Sequence, residues 1–391
     1  MTQEDLADPL FAADPHPTYA QWRTEGPVRR VHLPRGVDAW LVTGYEEARK
    51  ALTDPRLSKA PRGPQSYSGV QNAINRHMLA TDPPDHTRLR KLVAAAFTTR
   101  RIESLRPRIE EITDGLLDEM SAHDKVDLID VFAFPLPIQV ICELLGIPVE
   151  DRDSFRAWSS DIVAGPEVSG PERLQSSMGA LIAYIKGLLA YRRGHLGEDL
   201  LSGLIAVRDS EDRLTEDELT SMVFLLLIAG HETTVNLIGN GTYLLLSDRA
   251  RWERLHADRS LLPGAIEEFL RYESPVEMST GRVATDDLEL GGRQIHAGDV
   301  VMVALLSANR DPERFEAPDE LRFDRPHNPH VGFGHGIHYC LGAPLARLEA
   351  TIAFDKLLGR FPKLRLAVPP ADLIWRPGLL LRGLTDLPVH P

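Results

Sequence analysis

A mainly α-helical chain with small β-sheets is what this 391-residue sequence predicts, and three observations predict it. Apolar residues recur at helical spacing over 102–121, 137–145, 151–163 and 174–193. One long apolar stretch opens at Thr215-Glu216-Asp217-Glu218, which has capping-box spacing, and runs to about Ser247. Strand-like pieces are short, as in Ala39-Trp40-Leu41-Val42.

Residues 14–42 mix turn signals (Asp14-Pro15-His16-Pro17) with that extended piece and read as a short helix followed by small strands. Ala48 to Leu52 is a short helix stopped at Asp54-Pro55. Residues 57–81 are rich in Pro, Gly, Ser, Gln and Asn, and so long an irregular loop points to function. The loop carries no Asp or Glu but does carry Lys59, Arg62 and Arg76, so a cationic ligand finds no counter-ion on it. Asp82-Pro83-Pro84 opens a helix on which His86 and Arg90, four apart, share a face that suits a dianion. A Gly/Pro/Ser break at 164–171 separates the helices on either side of it.

Hydrophobic content of 43% with 26% charged residues is that of an ordinary globular protein. The two cysteines, Cys142 and Cys340, exclude a disulfide scaffold and suggest a reducing compartment. Cys142 lies in an apolar helical run and reads as core. A net charge of −13 without a basic tail argues against nucleic acid. The acidic N-terminus has no signal-peptide core, and the longest apolar run, about eight residues from Met222 to Ala229, is far short of the ~20 a bilayer needs. A soluble, cytoplasmic protein off the membrane is expected.

Two stretches carry chemistry. In Phe333-Gly334-His335-Gly336-Ile337-His338-Tyr339-Cys340-Leu341-Gly342 a cysteine sits in a glycine-rich loop that runs into an apolar helix over 341–361. Glycines permit sharply turned backbone and close approach to a flat ligand, and a helix start favours thiolate over thiol. Such a thiolate can serve as an axial iron ligand. The second stretch is Ala229-Gly230-His231-Glu232-Thr233-Thr234, in the middle of the long apolar helix. An acid and a hydroxyl there are costly to bury without a purpose, Ala229-Gly230 leaves room beside the helix, and a threonine can bond back to a carbonyl and open the helix.

The cysteine stretch closely resembles the haem-binding loop of the cytochrome P-450 family, and the helix stretch resembles that family's oxygen-activating motif. The resemblance covers nearly the whole chain and implies one catalytic domain over 1–391 of the cytochrome P-450 fold, with haem b between the long helix 215–247 and the loop 333–342. It makes Cys340 the proximal ligand, places Phe333 and Gly342 beside it, and puts Ala229 along the haem. It gives His338, His86, Arg90 and Arg282 to the haem propionates, and proton delivery to Glu232 and Thr233. Glu268 and Arg271 match a buried structural ion pair, with Arg325 as a third member. Phe224, Ile228, Met278, Ser279, Leu379 and Leu380 fall where family members line the substrate pocket.

The function so implied is monooxygenation with O2 and two electrons, drawn ultimately from NAD(P)H through a ferredoxin and its reductase. A basic docking patch of Arg88, Lys91, Arg100 and Arg101 is expected. The variants of the motifs resemble those of soluble actinobacterial enzymes that tailor macrolides and other polyketides in antibiotic biosynthesis, so the expected substrate is small, bulky, hydrophobic and neutral, bound by a monomer. Competing readings are a terpene, steroid or fatty-acid substrate, oxidative coupling within the same family, a haem sensor without turnover, and a helical scaffold without haem.

Overall fold

Along Val37–Val42 alternate side chains enter different cores, as a strand buried on both faces requires. Ala39 and Leu41 pack with Met302, Ala304, Tyr19 and Trp22. Trp40 and Val42 pack on the opposite side with Val301, Val303, Tyr45 and Leu57. This strand pairs antiparallel with Val28–Leu33 and parallel with Val300–Val303. Arg282–Ala284 and Leu57–Ser58 complete a five-stranded sheet. A three-stranded and a two-stranded sheet are the other small β-elements among the described residues.

The structure is a computed structural model and describes residues 6, 9–33, 36–60, 74–95, 97–148, 151–197, 199–208 and 214–391. Most of the acid-free loop, including Arg62, lies outside the described residues. The chain divides into two units, one of residues 1–61, 113–133 and 233–391, the other of 62–112 and 134–232. The first holds the sheets, the helices Arg249–Ala257 and Leu262–Tyr272, and the helix Ala343–Arg360 that follows the cysteine loop. The second is built of helices, among them Asp85–Ala94, Pro135–Leu145, Arg152–Ser169 and Pro171–Arg193. Cys142 is fully buried there, as a core residue. The long helix Glu216–Leu246 belongs to both units.

That helix starts where its capping box says. The Thr215 N–H donates to Glu218 Oε2 at 2.8 Å, and the Glu218 N–H donates to Thr215 Oγ1 at 3.2 Å. It is the one described helix long and apolar enough to cross a membrane, but 72% of its apolar window is buried within the protein, as in a core helix. No single apolar run in the sequence reveals this, because polar residues interrupt the stretch.

Two element boundaries differ from expectation. Residues 102–121 form two helices, Thr99–Ser104 and Arg106–Met120, because Pro107 has no N–H to carry one helix through Leu105. The break expected at 164–171 is narrower than its composition suggests. It is reduced to a kink at Gly165 (φ 73°, ψ 176°) and a turn at Gly170 (φ 77°) between two packed helices.

A buried polar cluster in the first unit ties the N-terminal helices to the segment after Tyr272. His16 Nε2 lies 2.9 Å from Glu273 Oε2, and Arg382 Nε donates to Glu273 Oε1 at 2.8 Å. The Tyr19 hydroxyl donates to Glu277 Oε1 at 2.8 Å. Burial pushes the Glu277 carboxyl up to about 7, against the opposing pull of Arg382 and of the Tyr19 bond. A carboxyl raised in the folded state favours folding while it is protonated, and that contribution is lost as pH rises through the folded value. Glu277→Gln removes the dependence. Its stability relative to the parent should therefore rise by about 2–3 kcal/mol between pH 5 and pH 8 in urea unfolding. A difference that stays constant with pH would show Glu277 ionised throughout.

Candidate functional site

The cysteine loop is a closed turn. The Cys340 N–H donates to the Phe333 carbonyl at 2.9 Å, and the Tyr339 N–H to the Gly336 carbonyl at 3.0 Å. Gly336 needs to be glycine twice over. Its φ is +74°, and a Cβ would sit 2.8 Å from Thr53 Cγ2 and 3.1 Å from the Leu52 carbonyl oxygen, so the loop lies directly on the helix Tyr45–Thr53. Cys340 itself is exposed and free of any disulfide. Its neighbours Ile337 and Tyr339 are also exposed, at 48% and 38%. An accessible thiol with apolar neighbours, three residues before a helix begins, is suited to holding a metal centre with an apolar face.

The loop is braced from behind by residues that no motif announces. Arg347, on the helix Ala343–Arg360, donates from Nε and Nη2 to Glu267 at 2.6 and 2.9 Å, and its guanidinium lies 4.6 Å from the Phe333 ring centroid. His330 Nε2 is 3.0 Å from the same carboxylate. Burial works against ionisation of Glu267, yet the bonds from Arg347 and His330 outweigh it and hold the carboxyl at about 2. Glu267 and Arg347 are 80 residues apart, which is why the pair has no local signature.

Glu268, Arg271 and Arg325 converge in the same unit. Arg271 meets both Glu268 oxygens, at 2.8 and 2.7 Å, and neither side chain is exposed. Its remaining donors go to the carbonyls of Asn309, Pro318 and Glu320, so all five N–H groups are used. Arg325 Nε lies 3.2 Å from Glu268 Oε2, and Asn328 adds a bond at 3.1 Å. Desolvation disfavours the charge on Glu268, but the two arginines keep its carboxyl below the ordinary range.

Of the residues expected to hold a cofactor, Phe333, His338, Cys340, Gly342 and Arg282 belong to the first unit. Arg282 is 4% exposed and donates to the Leu57 carbonyl at 3.2 Å. Ala229, His86 and Arg90 belong to the second unit, the last two one turn apart on the helix Asp85–Ala94.

The middle of the long helix is open on one side. Ala229 is exposed and Ile228 and Thr233 are partly so, whereas Glu232 is 1% exposed. Ala229 and Thr233 are four residues apart and share a face. Two expectations need correction here. Gly230 leaves no room, since a Cβ would stand 3.0 Å from Ile141 Cδ1, whose side chain fills that space. The helix also runs unbroken through Thr233.

Among the expected pocket residues, Phe224 is 8% exposed, Leu379 partly buried and Leu380 44% exposed. Met278 is not a lining residue: it is fully buried in the core with Phe11, Tyr19 and Trp22. The Ser279 hydroxyl accepts the Val303 N–H at 3.1 Å, so the strand edge uses it. Within the expected basic patch, Arg88 is paired with Glu218, whereas Lys91 and Arg100 are exposed.

These residues fit a porphyrin iron. Cys340 offers one accessible sulfur, and a Cβ at Gly342 would lie 3.9 Å from it, so the glycine keeps the approach to the sulfur wide. The long helix separately presents a small residue and a hydroxyl on an exposed face.

Comparison with known proteins agrees. Residues 191–375 match the cytochrome P-450 family. The chain is 51% identical to the cytochrome P-450 monooxygenase PikC of Streptomyces venezuelae, over 97% of this chain and 92% of that protein. It is 47% identical to the 6-deoxyerythronolide B hydroxylase of Saccharopolyspora erythraea, over 100% and 99%. Among solved structures, the tirandamycin C-bound monooxygenase TamI superposes with a TM-score of 0.91 at 52% identity, over 98% of each chain.

Proposed function

The chain belongs to the cytochrome P-450 family and is an oxidoreductase of the monooxygenase type, and from that premise we propose that it hydroxylates or epoxidises a bulky, neutral polyketide of the macrolide kind. The observation that carries the chemistry is the accessible Cys340 thiol on its braced glycine loop. The substrate class rests on what the similar proteins act on by name, and on the absence of any acid between residues 57 and 81. One cation of that loop, Lys59, is already engaged, donating to the Thr280 carbonyl at 2.7 Å.

Cys340 would hold the iron of a haem b, and that group would supply binding and reductive activation of O2. Phe333, backed by Arg347 and Glu267, keeps the loop from moving when the ligand is loaded. His338, Arg282, His86 and Arg90 would supply cationic or donor groups for the propionates. Thr233 holds a hydroxyl on the open helix face, and Glu232 carries protons to it from the buried side. Ala229 leaves that face low, while Phe224, Ile228, Leu379 and Leu380 orient the substrate by apolar contact. All 391 residues serve as one catalytic domain, working as a soluble cytoplasmic monomer.

Electrons come from NAD(P)H through a ferredoxin reductase and a ferredoxin that meets Lys91, Arg100 and Arg101. Arg88 is left out of this patch because Glu218 neutralises it. Lys91→Glu with Arg100→Glu should slow reduction by ferredoxin about tenfold or more at low salt, an effect that fades as salt rises. An unchanged rate would remove the patch.

Substrate titrations followed by the haem spectrum test the class. Macrolides and linear polyketides should give the low-to-high-spin shift. A terpene or fatty acid that shifts the spectrum where no polyketide does would overturn the assignment.

A further inference from the structure

His231 is a fully buried side chain of the Ala229–Thr234 stretch that the mechanism leaves without a task, and its surroundings assign it one. The ring is fully buried, although it is polar at both nitrogens. Nδ1 lies 2.6 Å from the Leu227 carbonyl oxygen. A carbonyl can only accept, so Nδ1 carries a hydrogen and its direction is fixed by the helix backbone. Nε2 faces two groups, the Ser159 hydroxyl at 3.1 Å and Glu232 Oε1 at 3.5 Å. Phe134 stands edge-on to the ring, with centroids 5.7 Å apart, and blocks rotation. The ring therefore has one orientation, and only the proton at Nε2 is free to change.

Ser159 can accommodate both states. Its hydroxyl sits 3.1 Å from Nε2 and 3.2 Å from the Arg156 carbonyl. With Nε2 bare, the hydroxyl donates to it. With a proton on Nε2, the hydroxyl turns its own hydrogen to the Arg156 carbonyl and its oxygen accepts from the ring. A proton exchanged between Glu232 Oε1 and Nε2, which stand 3.5 Å apart, leaves the number of protons unchanged once the two side chains close to hydrogen-bond distance.

The other charged and titratable groups with described side chains on the packed elements are Arg156 and Asp161 on the helix Arg152–Ser169, and Cys142 and Glu143 on the helix Pro135–Leu145, where Glu143 is taken up by Arg108 at 2.8 Å. Arg156 lies 4.7 Å from the Phe134 ring centroid, and Asp161 is taken up by Ser177 at 2.7 Å and Arg173 at 2.8 Å. Glu232 is the carboxylate the structure places against Nε2.

We infer that His231 is a positioning residue: with Ser159 it sets the orientation and proton occupancy of Glu232, and so makes proton delivery depend on how the Arg152–Ser169 helix is seated. The inference rests on Glu232 being the acid of the proposed mechanism. It goes beyond that mechanism by adding a relay and linking it to a second helix.

The test uses haem-loaded protein and two readouts. Infrared spectra over a pH series give the carbonyl stretch of protonated Glu232, identified by its loss in Glu232→Gln. In His231→Phe, which keeps a ring in the space, that band should move in frequency or in titration midpoint, and Ser159→Ala should move it the same way by less. Product formed per electron pair should fall about tenfold in His231→Phe, because Glu232 loses the imidazole that stands 3.5 Å from its Oε1. The double variant His231→Phe/Glu232→Gln should be no worse than Glu232→Gln alone. An unmoved carbonyl band, or losses that multiply in the double variant, overturns the inference. A Glu232→Gln protein that keeps full coupling would instead remove Glu232 as the acid, whatever the band does, so the two failures can be told apart.

Discussion

Glu268→Ala should cost about 3–5 kcal/mol of stability, a large part of the ~5–15 kcal/mol that holds a typical domain together. The reason is what remains rather than what is lost. Arg271 keeps three carbonyl partners but loses its carboxylate, and Arg325, 5% exposed at its side chain, loses the same counter-charge. Two cations then sit in the interior without an anion. The Arg322 N–H and the Asn328 amide also lose their acceptor, and both belong to the segment leading into the cysteine loop. Expression should fall and haem content should fall with it, read as pigment per protein. Arg271→Lys should be nearly as damaging, because an ammonium cannot serve five acceptors in a planar fork. A Glu268→Ala protein that folds with full pigment and an unchanged urea midpoint would refute this role.

Thr233→Ala should lower product per electron pair at least about tenfold, part of the ~10²–10⁴-fold that positioned proton transfer supplies. Consumed electrons should leave as hydrogen peroxide. The hydroxyl lies on the open face of the long helix beside Ala229, while the neighbouring Glu232 is buried. In the proposed mechanism the proton passes between these adjacent residues. Thr233→Ser should restore most of the coupling, since it returns the hydroxyl without the methyl group. Glu232→Gln should resemble Thr233→Ala and show a weaker pH dependence. Equal coupling in Thr233→Ala and its parent, with no rise in peroxide, would show that water alone delivers the protons.

The parts of this protein that could be read from the sequence are those whose cause is local. The capping box of the long helix, the apolar run behind it and the glycine-rich cysteine loop each carry their reason within about ten residues, and each appears where expected. The spacing of Glu268 and Arg271, one turn apart, carries almost no signal by itself, and the pair is assigned by the family resemblance and the order of motifs. Its third member, Arg325, is 57 residues away and depended on the order of motifs.

What was not legible depends on partners brought together by the fold. Nothing near Glu267 announces Arg347 or His330. Nothing near Arg88 says that Glu218, 130 residues later, removes it from a basic patch. Gly230 looked like free space and is occupied by Ile141 from another helix. Met278 and Ser279 lie in a stretch where pocket residues are expected, but the first packs in the core and the hydroxyl of the second accepts the Val303 N–H. The sequence around His231 likewise does not announce the partners of its two nitrogens, the Leu227 carbonyl and the Ser159 hydroxyl.

The carbon monoxide difference spectrum of the reduced, purified protein bears most directly on all of this, because it reports the atom opposite the bound gas. With Cys340 as a thiolate ligand the band lies at the long-wavelength position that sulfur donation produces, and Cys340→Ser loses it. A parent protein whose band lies at the shorter wavelength of a histidine-ligated haem, or a Cys340→Ser protein that keeps the long-wavelength band, would contradict the account.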